Sequence, residues 1–205
     1  AGARGRRVLV LDHANKVGKK ILMSGGGRCN FTNTGTTPAQ FISANPHFCK
    51  SALARYTPRD FLELVERHKI SWHEKTLGQL FCDNSAKDII AMLLAEMKSA
   101  GAELRLSTPI GAVEHAGTSF RVVTENGTIE ASSVVIATGG KSIPKMGATG
   151  FAYRIAEQFG LPVVETRAGL VPLMLDPATL AAHEGLPGVA VDVIARHGKT
   201  EFREA

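Results

Sequence analysis

Two short, continuous apolar segments constrain the fold of this chain more than any other feature of its sequence. Residues 8–11 (Val-Leu-Val-Leu) end at Asp12, and residues 134–138 (Val-Val-Ile-Ala-Thr) end at Gly139 and Gly140. Short apolar runs of this kind are typical of strands buried on both faces of a parallel sheet. The carboxyl ends of such strands form the ligand-binding edge of open α/β sheets. The two segments therefore predict an α/β fold that brings Asp12 and the glycine turn to one sheet edge.

Helical patterns fill part of the chain between these strands. Thr57 is a suitable N-cap, Pro58 suits the first helical position, and an apolar stripe follows. Ser85 with Asp88 repeats this pattern before a second stripe, and Gly101 is the expected residue just beyond the helix end. These signals predict two amphipathic helices.

Short alternating segments then predict a small antiparallel meander. They cover residues 110–114, 119–124 and 128–131, and Asn126-Gly127 between the last two is a strong hairpin signal. A further helix is predicted over residues 150–159. The order of elements indicates a three-layer α/β fold, with a parallel sheet plus an antiparallel meander.

The most unusual stretch follows the apolar residues 21–23, which we predict as a strand. It consists of Ser24, Gly25, Gly26, Gly27, Arg28, Cys29 and Asn30. Consecutive glycines carry no side chains, so their backbone N–H groups can line a concavity for an anion or a planar ring. A flexible surface loop is the alternative. We favour a binding loop, because glycine-rich linkers seldom carry Arg-Cys-Asn directly after an apolar strand.

Two further candidates are weaker on their own. Asp12 is placed to accept hydrogen bonds from a ribose diol, but for this residue alone a solvated carboxylate at a strand end is the better explanation. The Gly139-Gly140 turn precedes a helix that starts near Gly150, and helix N-termini suit a phosphate or a flavin edge. A plain strand-to-helix connection explains that turn nearly as well.

Composition excludes several classes of protein. With 44% hydrophobic and 21% charged residues, the chain is neither a disordered polyampholyte, a collagen-like repeat nor a disulfide scaffold. The three cysteines lack CxxC spacing and predict a reduced, cytoplasmic setting. The seven histidines lack metal-ligand spacing, and no apolar run reaches the ~20 residues that span a bilayer, so we expect neither metal nor membrane. The net charge of +5 favours anionic partners, but only weakly.

Three motifs together resemble one bacterial flavoprotein family, the BaiN/RdsA-type NAD(P)/FAD-dependent oxidoreductases. The long motif covers residues 18–33 (Gly-Lys-Lys-Ile-Leu-Met-Ser-Gly-Gly-Gly-Arg-Cys-Asn-Phe-Thr-Asn). It is reinforced by Ala-Thr-Gly-Gly-Lys-Ser-Ile-Pro at 137–144 with Gly-Ala-Thr-Gly at 147–150, and by Ala-Gly-Leu-Val-Pro-Leu at 168–173. The similarity spans essentially the whole chain.

The resemblance implies a fold that holds FAD noncovalently and assigns positions around it. By position, Asp12 would bind the adenosine ribose, Lys20 and residues 24–30 would run along the pyrophosphate and flavin, Ile110 would offer backbone to adenine, and Thr138, Gly139 and Gly140 would close over the cofactor. One position departs from the family pattern, because Lys141 stands where the family usually has an apolar residue.

The resemblance also implies a domain organisation. The family's first strand and glycine fingerprint are expected before residue 1 and a flavin-contacting segment after residue 205, so we interpret the chain as an internal piece of a roughly twofold longer enzyme. We predict a Rossmann-like FAD-binding domain over residues 1–168, with a helical insertion at about 40–100 and the meander at about 103–131. Residues 169–205 are predicted to begin an inserted β-rich substrate domain.

The activity implied by the resemblance is hydride transfer from NAD(P)H through FAD to an unsaturated acceptor. Similar proteins are linked to reduction of uridine in ribosomal RNA to dihydrouridine, or of steroid-like alkenes. No side chain is assigned as a catalytic acid or base. The alternatives are a non-redox nucleotide- or RNA-binding module and a piece inactive on its own. Aromatic residues that would stack on single-stranded RNA are sparse, at 6%. The acceptor, the choice of nicotinamide and the oligomeric state stay open.

Overall fold

The computed structural model describes residues 1–169, 174–186 and 192–204 of the chain. Two compact units are present, Ala1–Val163 and Val164–Ala205. Residues 170–173, which carry much of the third family motif, lie outside the described residues.

The first unit contains five α-helices and eight strands among the described residues. The helices are α1 (Lys19–Met23), α2 (Lys50–Arg55), α3 (Pro58–Arg67), α4 (Ala86–Ser99) and α5 (Phe151–Gln158). The strands are β1 (Leu9–Leu11), β2 (Asn30–Asn33), β3 (Trp72–Glu74), β4 (Gln79–Cys82), β5 (Glu103–Arg105), β6 (Ile110–Ala116), β7 (Ser119–Thr124) and β8 (Gly127–Ala131). Short 3₁₀ turns cover Gly2–Arg4, Ser24–Gly27, Pro38–Gln40, Thr76–Gly78 and Pro144–Met146.

A parallel pair, β1 with β5, confirms the predicted α/β character. Leu9 pairs with Glu103 and Leu11 with Arg105. The ladder continues past the strands, since the N–H of Asp12 donates to the carbonyl of Arg105 at 3.0 Å. Parallel strands need a long crossover, and here it contains α1 to α4 and a second sheet.

That second sheet is antiparallel, in the order β2-β4-β3, and was not predicted from the sequence. Asn30 of β2 lies opposite Phe81 of β4, and Trp72 of β3 lies opposite Cys82. A register shift between Asn30 and Thr32 bends β2 where it leaves the glycine loop. The sheet therefore ties the glycine loop to the middle of the chain.

The helices α3 and α4 begin where the sequence predicts. Thr57 and Asp60 form a reciprocal capping box at the start of α3, and the Ser85 hydroxyl accepts from the N–H of Lys87 at the start of α4. Gly101 follows the end of α4 with a φ of 63°, in the left-handed region that favours glycine. Both helices pack their apolar faces into one buried cluster, formed by Cys29, Val65, Cys82, Ala86, Ile89 and Met92.

The predicted meander is confirmed as the sheet β6-β7-β8. Its buried face carries Val113 and Val122, which cluster with Ile155 of α5. Strand β5 pairs with β1, so the meander itself starts at Ile110.

Two predicted strands are wrong. Residues 21–23 belong to α1, because Gly18 adopts a left-handed φ of 67° and its carbonyl accepts from the N–H of Leu22 at 2.9 Å. Residues 134–138 are assigned no strand, since none of the described strands hydrogen-bonds to them. Val134 and Ile136 nevertheless pack on the second cluster, while Val135 is 85% exposed.

The second unit contains the helix α6 (Pro177–Ala182) and an antiparallel hairpin of β9 (Val193–His197) with β10 (Thr200–Glu204). The predicted domain boundary at residues 168 and 169 stays a prediction, because compactness alone does not identify an inserted domain. Among the described helices, none combines the length and apolar character needed to cross a membrane.

Packing around α3 yields a test of the first buried cluster. Val65 is fully buried, so Val65→Ala should lower the free energy of unfolding by about 2 kcal/mol through lost burial and the cavity left behind. Val164→Ala is the matched control, because that side chain is 81% exposed. Urea unfolding measures both, and equal losses would contradict the assignment of Val65 to the core.

Candidate functional site

The glycine loop is a tight, left-handed turn between α1 and β2. Gly25, Gly26 and Gly27 have φ values of 57°, 62° and 87°, which L side chains rarely adopt. The N–H of Cys29 donates to the carbonyl of Ser24 at 3.0 Å and closes the turn. Gly25 and Gly26 are exposed, so this part of the loop presents backbone to the surface.

One glycine of the loop is also required by close packing. A Cβ built on Gly25 would lie 2.6 Å from Cε1 of Phe81 and 2.7 Å from the backbone nitrogen of Asn30. A Cβ on Gly26 would meet nothing within 4 Å. Gly25 thus holds the loop against β4, whereas Gly26 faces open space.

Cys29 does not present its thiol to the exposed side of the loop. The residue is buried in the first cluster with Cys82, and its backbone has a φ of 54°. The preceding residue bonds to β4, because the Arg28 carbonyl accepts from the N–H of Cys82 at 3.0 Å. Burial raises the pKa of the Cys82 thiol to about 11, and the neighbouring Cys29 adds to that rise. Cys29 is therefore a packing residue whose backbone alone borders the loop.

Asp12 lies directly beyond β1 and shapes the turn that follows. Its Oδ1 accepts from the N–H of Ala14 at 2.9 Å, and its carbonyl accepts from the N–H of Thr108 at 2.9 Å. The N–H of Ser107 donates to the carbonyl of Ala14 at 2.9 Å. These bonds bring Asp12 beside the segment that enters β6 at Ile110, another of the predicted site residues.

Two contacts join the N-terminal segment to the glycine turn near residue 140. The Lys20 ammonium donates to the Ser142 hydroxyl, although 122 positions separate the two residues. A Cβ on Gly147 would lie 2.8 Å from Nε2 of His13, so this glycine makes room for the imidazole. Lys20, a predicted site residue, and His13, the neighbour of Asp12, thus contact the stretch that follows Gly140.

The turn itself is open. Thr138, Gly139 and Gly140 are exposed, and a Cβ on either glycine would meet nothing within 4 Å. The Ser142 hydroxyl, two positions beyond this turn, accepts from the Lys20 ammonium, while residues 138–140 themselves are exposed. Lys141, where the family usually has an apolar residue, places its ammonium 4.7 Å from the centre of the Tyr153 ring.

Sequence reasoning missed His13 and Phe81. His13 follows Asp12 directly, but a lone histidine carries no signal of its own. Ser142 stands within a quoted family motif, and only its contact with Lys20 was not foreseen. In the described ranges, no three His, Cys, Asp or Glu side chains converge as metal ligands would.

The glycine loop yields a paired test. Gly25→Ala should lower the free energy of unfolding by about 2–4 kcal/mol, because left-handed strain adds to overpacking against Phe81. Gly26→Ala should lower the free energy of unfolding by only about 1 kcal/mol, since its Cβ adds left-handed strain but meets no neighbouring atom. Thermal and urea unfolding of both variants measure the difference. Equal destabilisation would contradict the close approach of Gly25 to β4.

The Cys82 thiol yields a pH test. Its pKa rises from 9.0 to about 11 on folding, so the unfolded chain loses this proton first and stability should fall as pH rises from about 9 to about 11. Cys82→Ala should lack this part of the pH dependence, whereas Cys49→Ala, which removes another buried cysteine, should retain it. Urea unfolding at several pH values between about 9 and about 11 gives the slope of the unfolding free energy against pH for each variant. Identical slopes in Cys82→Ala and Cys49→Ala would refute the raised pKa of Cys82.

Relatives of the chain share its sequence over its full length. It is 53% identical over 205 residues to a ribosomal RNA dihydrouridine synthase of Escherichia coli (strain K12), covering 100% of this chain and 51% of that protein. It is 51% identical over 206 residues to the Haemophilus influenzae protein of the same name, covering 98% of this chain and 51% of that protein. The chain therefore spans about half the length of these curated relatives.

A more distant relative carries a different name. A 3-dehydro-bile acid delta(4,6)-reductase of Clostridium scindens is 24% identical over 182 residues, covering 88% of this chain and 44% of that protein. The family model described as HI0933-like protein Rossmann domain matches residues 1–197. The chain therefore belongs to the family of HI0933-like proteins and contains its Rossmann domain, which confirms the Rossmann-like FAD-binding fold that the sequence predicts.

Proposed function

We propose that this chain is the FAD-binding part of an oxidoreductase that uses NAD(P)H to reduce uridine in ribosomal RNA to dihydrouridine. The observation that carries the proposal is the 53% identity, over the whole chain, to a ribosomal RNA dihydrouridine synthase. Two long-range contacts support it, because Lys20 and His13 reach Ser142 and Gly147 far along the chain.

The donors and charges around the loop suit a dinucleotide. Exposed glycine backbone at Gly25 and Gly26 lets a pyrophosphate or a planar ring approach closely. Lys20 and Arg28 are both exposed and supply positive charge for the pyrophosphate. Asp12 keeps a carboxylate at a strand end, where such folds bind a ribose diol. These residues fit FAD.

We assign the remaining contacts by position. Residues 24–30 would run along the pyrophosphate and flavin, with Cys29 contributing backbone only. Ile110, which follows the Asp12-bonded segment, would offer backbone to adenine. The exposed turn of Thr138, Gly139 and Gly140 would close over the cofactor. Lys20 would position that turn through its bond to Ser142.

The reaction needs little side-chain chemistry from these residues. Bound FAD supplies hydride transfer, which allows a nicotinamide to reduce a carbon–carbon double bond. The chain's own groups bind and orient the cofactor, and none of them is assigned as a proton donor. The name of the bile acid relative also implies reduction of a carbon–carbon double bond. An unsaturated ring is therefore the substrate feature that uridine and the bile acid share. We place the reaction in the cytoplasm, where free thiols such as these three cysteines persist.

A spectrum and an RNA assay together test the proposal. The protein reconstituted with FAD should show flavin absorption that NAD(P)H bleaches under anaerobic conditions. Addition of unmodified ribosomal RNA should restore the bands, and mass spectrometry of the RNA digest should show uridine that has gained two hydrogen atoms. A protein that binds ribosomal RNA without any flavin bands would be a non-redox RNA-binding module and would overturn the proposal.

The ribose contact yields a residue-level prediction. Asp12→Asn keeps the Oδ1 acceptor that bonds Ala14, but removes the charge, so the Kd for FAD should rise about tenfold. Asp192→Asn, at an exposed carboxylate of the second unit, should leave the Kd unchanged. Quenching of flavin fluorescence measures both affinities. An unchanged Kd in Asp12→Asn would remove Asp12 from the FAD site.

A further inference from the structure

Charge is distributed very unevenly along the chain. Residues 1–59 carry ten Lys and Arg side chains against one carboxylate, Asp12, whereas residues 60–205 carry fourteen against eighteen. The modest net charge of +5 therefore conceals a strongly basic first part. A surface of one sign attracts polyanions and raises their association rate.

Exposed aromatic rings concentrate in the same part of the chain. Phe41, Phe48 and Tyr56 are exposed, and Phe48 reaches 78%. Only Phe159 and Phe202 are comparably exposed among the other aromatic residues. Although aromatics are sparse overall, three of the five exposed rings lie within 16 consecutive residues.

Residues next to Phe48 and Tyr56 in the chain, Lys50 and Thr57 among them, line a groove in the first unit. It has a volume of about 570 Å³, and its lining includes Thr32, Thr36, Lys50, Leu53, Arg59 and Leu80. Hydroxyl groups and cations thus surround an apolar floor. We name residues 36–59, which form one side of the groove and carry the exposed rings, the basic arm.

The groove lies close to the glycine loop in the fold. Strand β2 starts at Asn30, the last residue of that loop, and Thr32 already lines the groove. At a rise of ~3.3 Å per residue, the two positions are only about 7 Å apart along the strand. A polymer bound in the groove can therefore extend to the proposed FAD site.

We propose that the basic arm binds a single-stranded segment of RNA next to the uridine to be reduced. Phe48 and Tyr56 would stack on bases, and Lys50 and Arg55 would contact phosphates. Arg59 is excluded from this set, because its Nε already lies 3.0 Å from Glu63. The threonine hydroxyls suit the 2′-hydroxyls of RNA, which both donate and accept hydrogen bonds. This inference rests on the proposed function and adds a recognition surface to it.

Charge argues for RNA over a protein segment as the occupant. No Asp or Glu occurs between Asp12 and Asp60, and within this interval the basic arm carries Lys50, Arg55 and Arg59. An apolar protein segment would use the floor of the groove but would gain nothing from the free cations Lys50 and Arg55. A polyanion with planar bases uses both the cations and the rings.

The test measures RNA affinity of the FAD-loaded protein by fluorescence anisotropy, with a labelled, uridine-containing single strand of about 12 nucleotides. Phe48→Ala/Lys50→Ala should raise the Kd about tenfold and leave the flavin spectrum unchanged. Lys199→Ala/Phe202→Ala is the matched control, because it removes one exposed cation and one exposed ring from the β9–β10 hairpin. This control should bind RNA like the unmodified protein.

A second variant tests the phosphate contacts separately. Lys50→Ala/Arg55→Ala should reduce the slope of log K against log salt concentration by about 1.4, since each single-strand phosphate contact contributes about 0.7. Both side chains are exposed, so the fold should be retained. A salt slope equal to that of the unmodified protein would contradict these contacts.

The outcomes separate this inference from the proposed function. If Phe48→Ala/Lys50→Ala binds RNA as the control does, the inference is overturned and RNA is excluded as the occupant of the groove. If the unmodified protein shows no flavin bands, the proposed function fails, whatever the RNA affinities. Loss of RNA affinity with intact flavin bands supports both.

Discussion

The approach of Gly25 to the Phe81 ring is the contact on which the candidate site depends. Because glycine alone leaves room there, the chain can leave α1, reverse through left-handed residues and enter β2 beside β4. The reversal directs the Cys29 side chain into the first buried cluster and leaves Gly26 on the exposed side. One tight contact therefore produces both a packed interior and a surface of accessible backbone.

The second requirement is that the two halves of the proposed FAD site stay together. The Lys20–Ser142 hydrogen bond and the fit of His13 over Gly147 join segments more than 100 residues apart. The Lys20–Ser142 bond is exposed, so its contribution to stability is small. It keeps α1, which leads into the glycine loop, in contact with the stretch that follows the open Gly139-Gly140 turn. A bound cofactor would add contacts to both segments.

What the sequence revealed depends on how local each signal is. The caps at Thr57 and Ser85 and the Asn126-Gly127 turn act within a few residues, so α3, α4 and the meander were predicted correctly. Strands β3 and β4 are only three and four residues long and depend on distant partners. Their sequences are too short to show the alternating pattern that predicts a strand. Residues 134–138 have a strand-like composition. They form no strand because none of the described strands hydrogen-bonds to them. The candidate site residues come from the family resemblance, whereas the contacts of Gly25 with Phe81 and of Gly147 with His13 required the structure.

Hydrogen–deuterium exchange of the protein, with and without FAD, tests most directly whether one cofactor joins the two segments. If one FAD molecule contacts both segments, its binding should slow amide exchange in residues 24–30 and also in residues 138–142. Exchange in the β9–β10 hairpin should not change, because none of the residues proposed to contact FAD lies there. Protection of only one of the two segments, or of neither, would contradict the account.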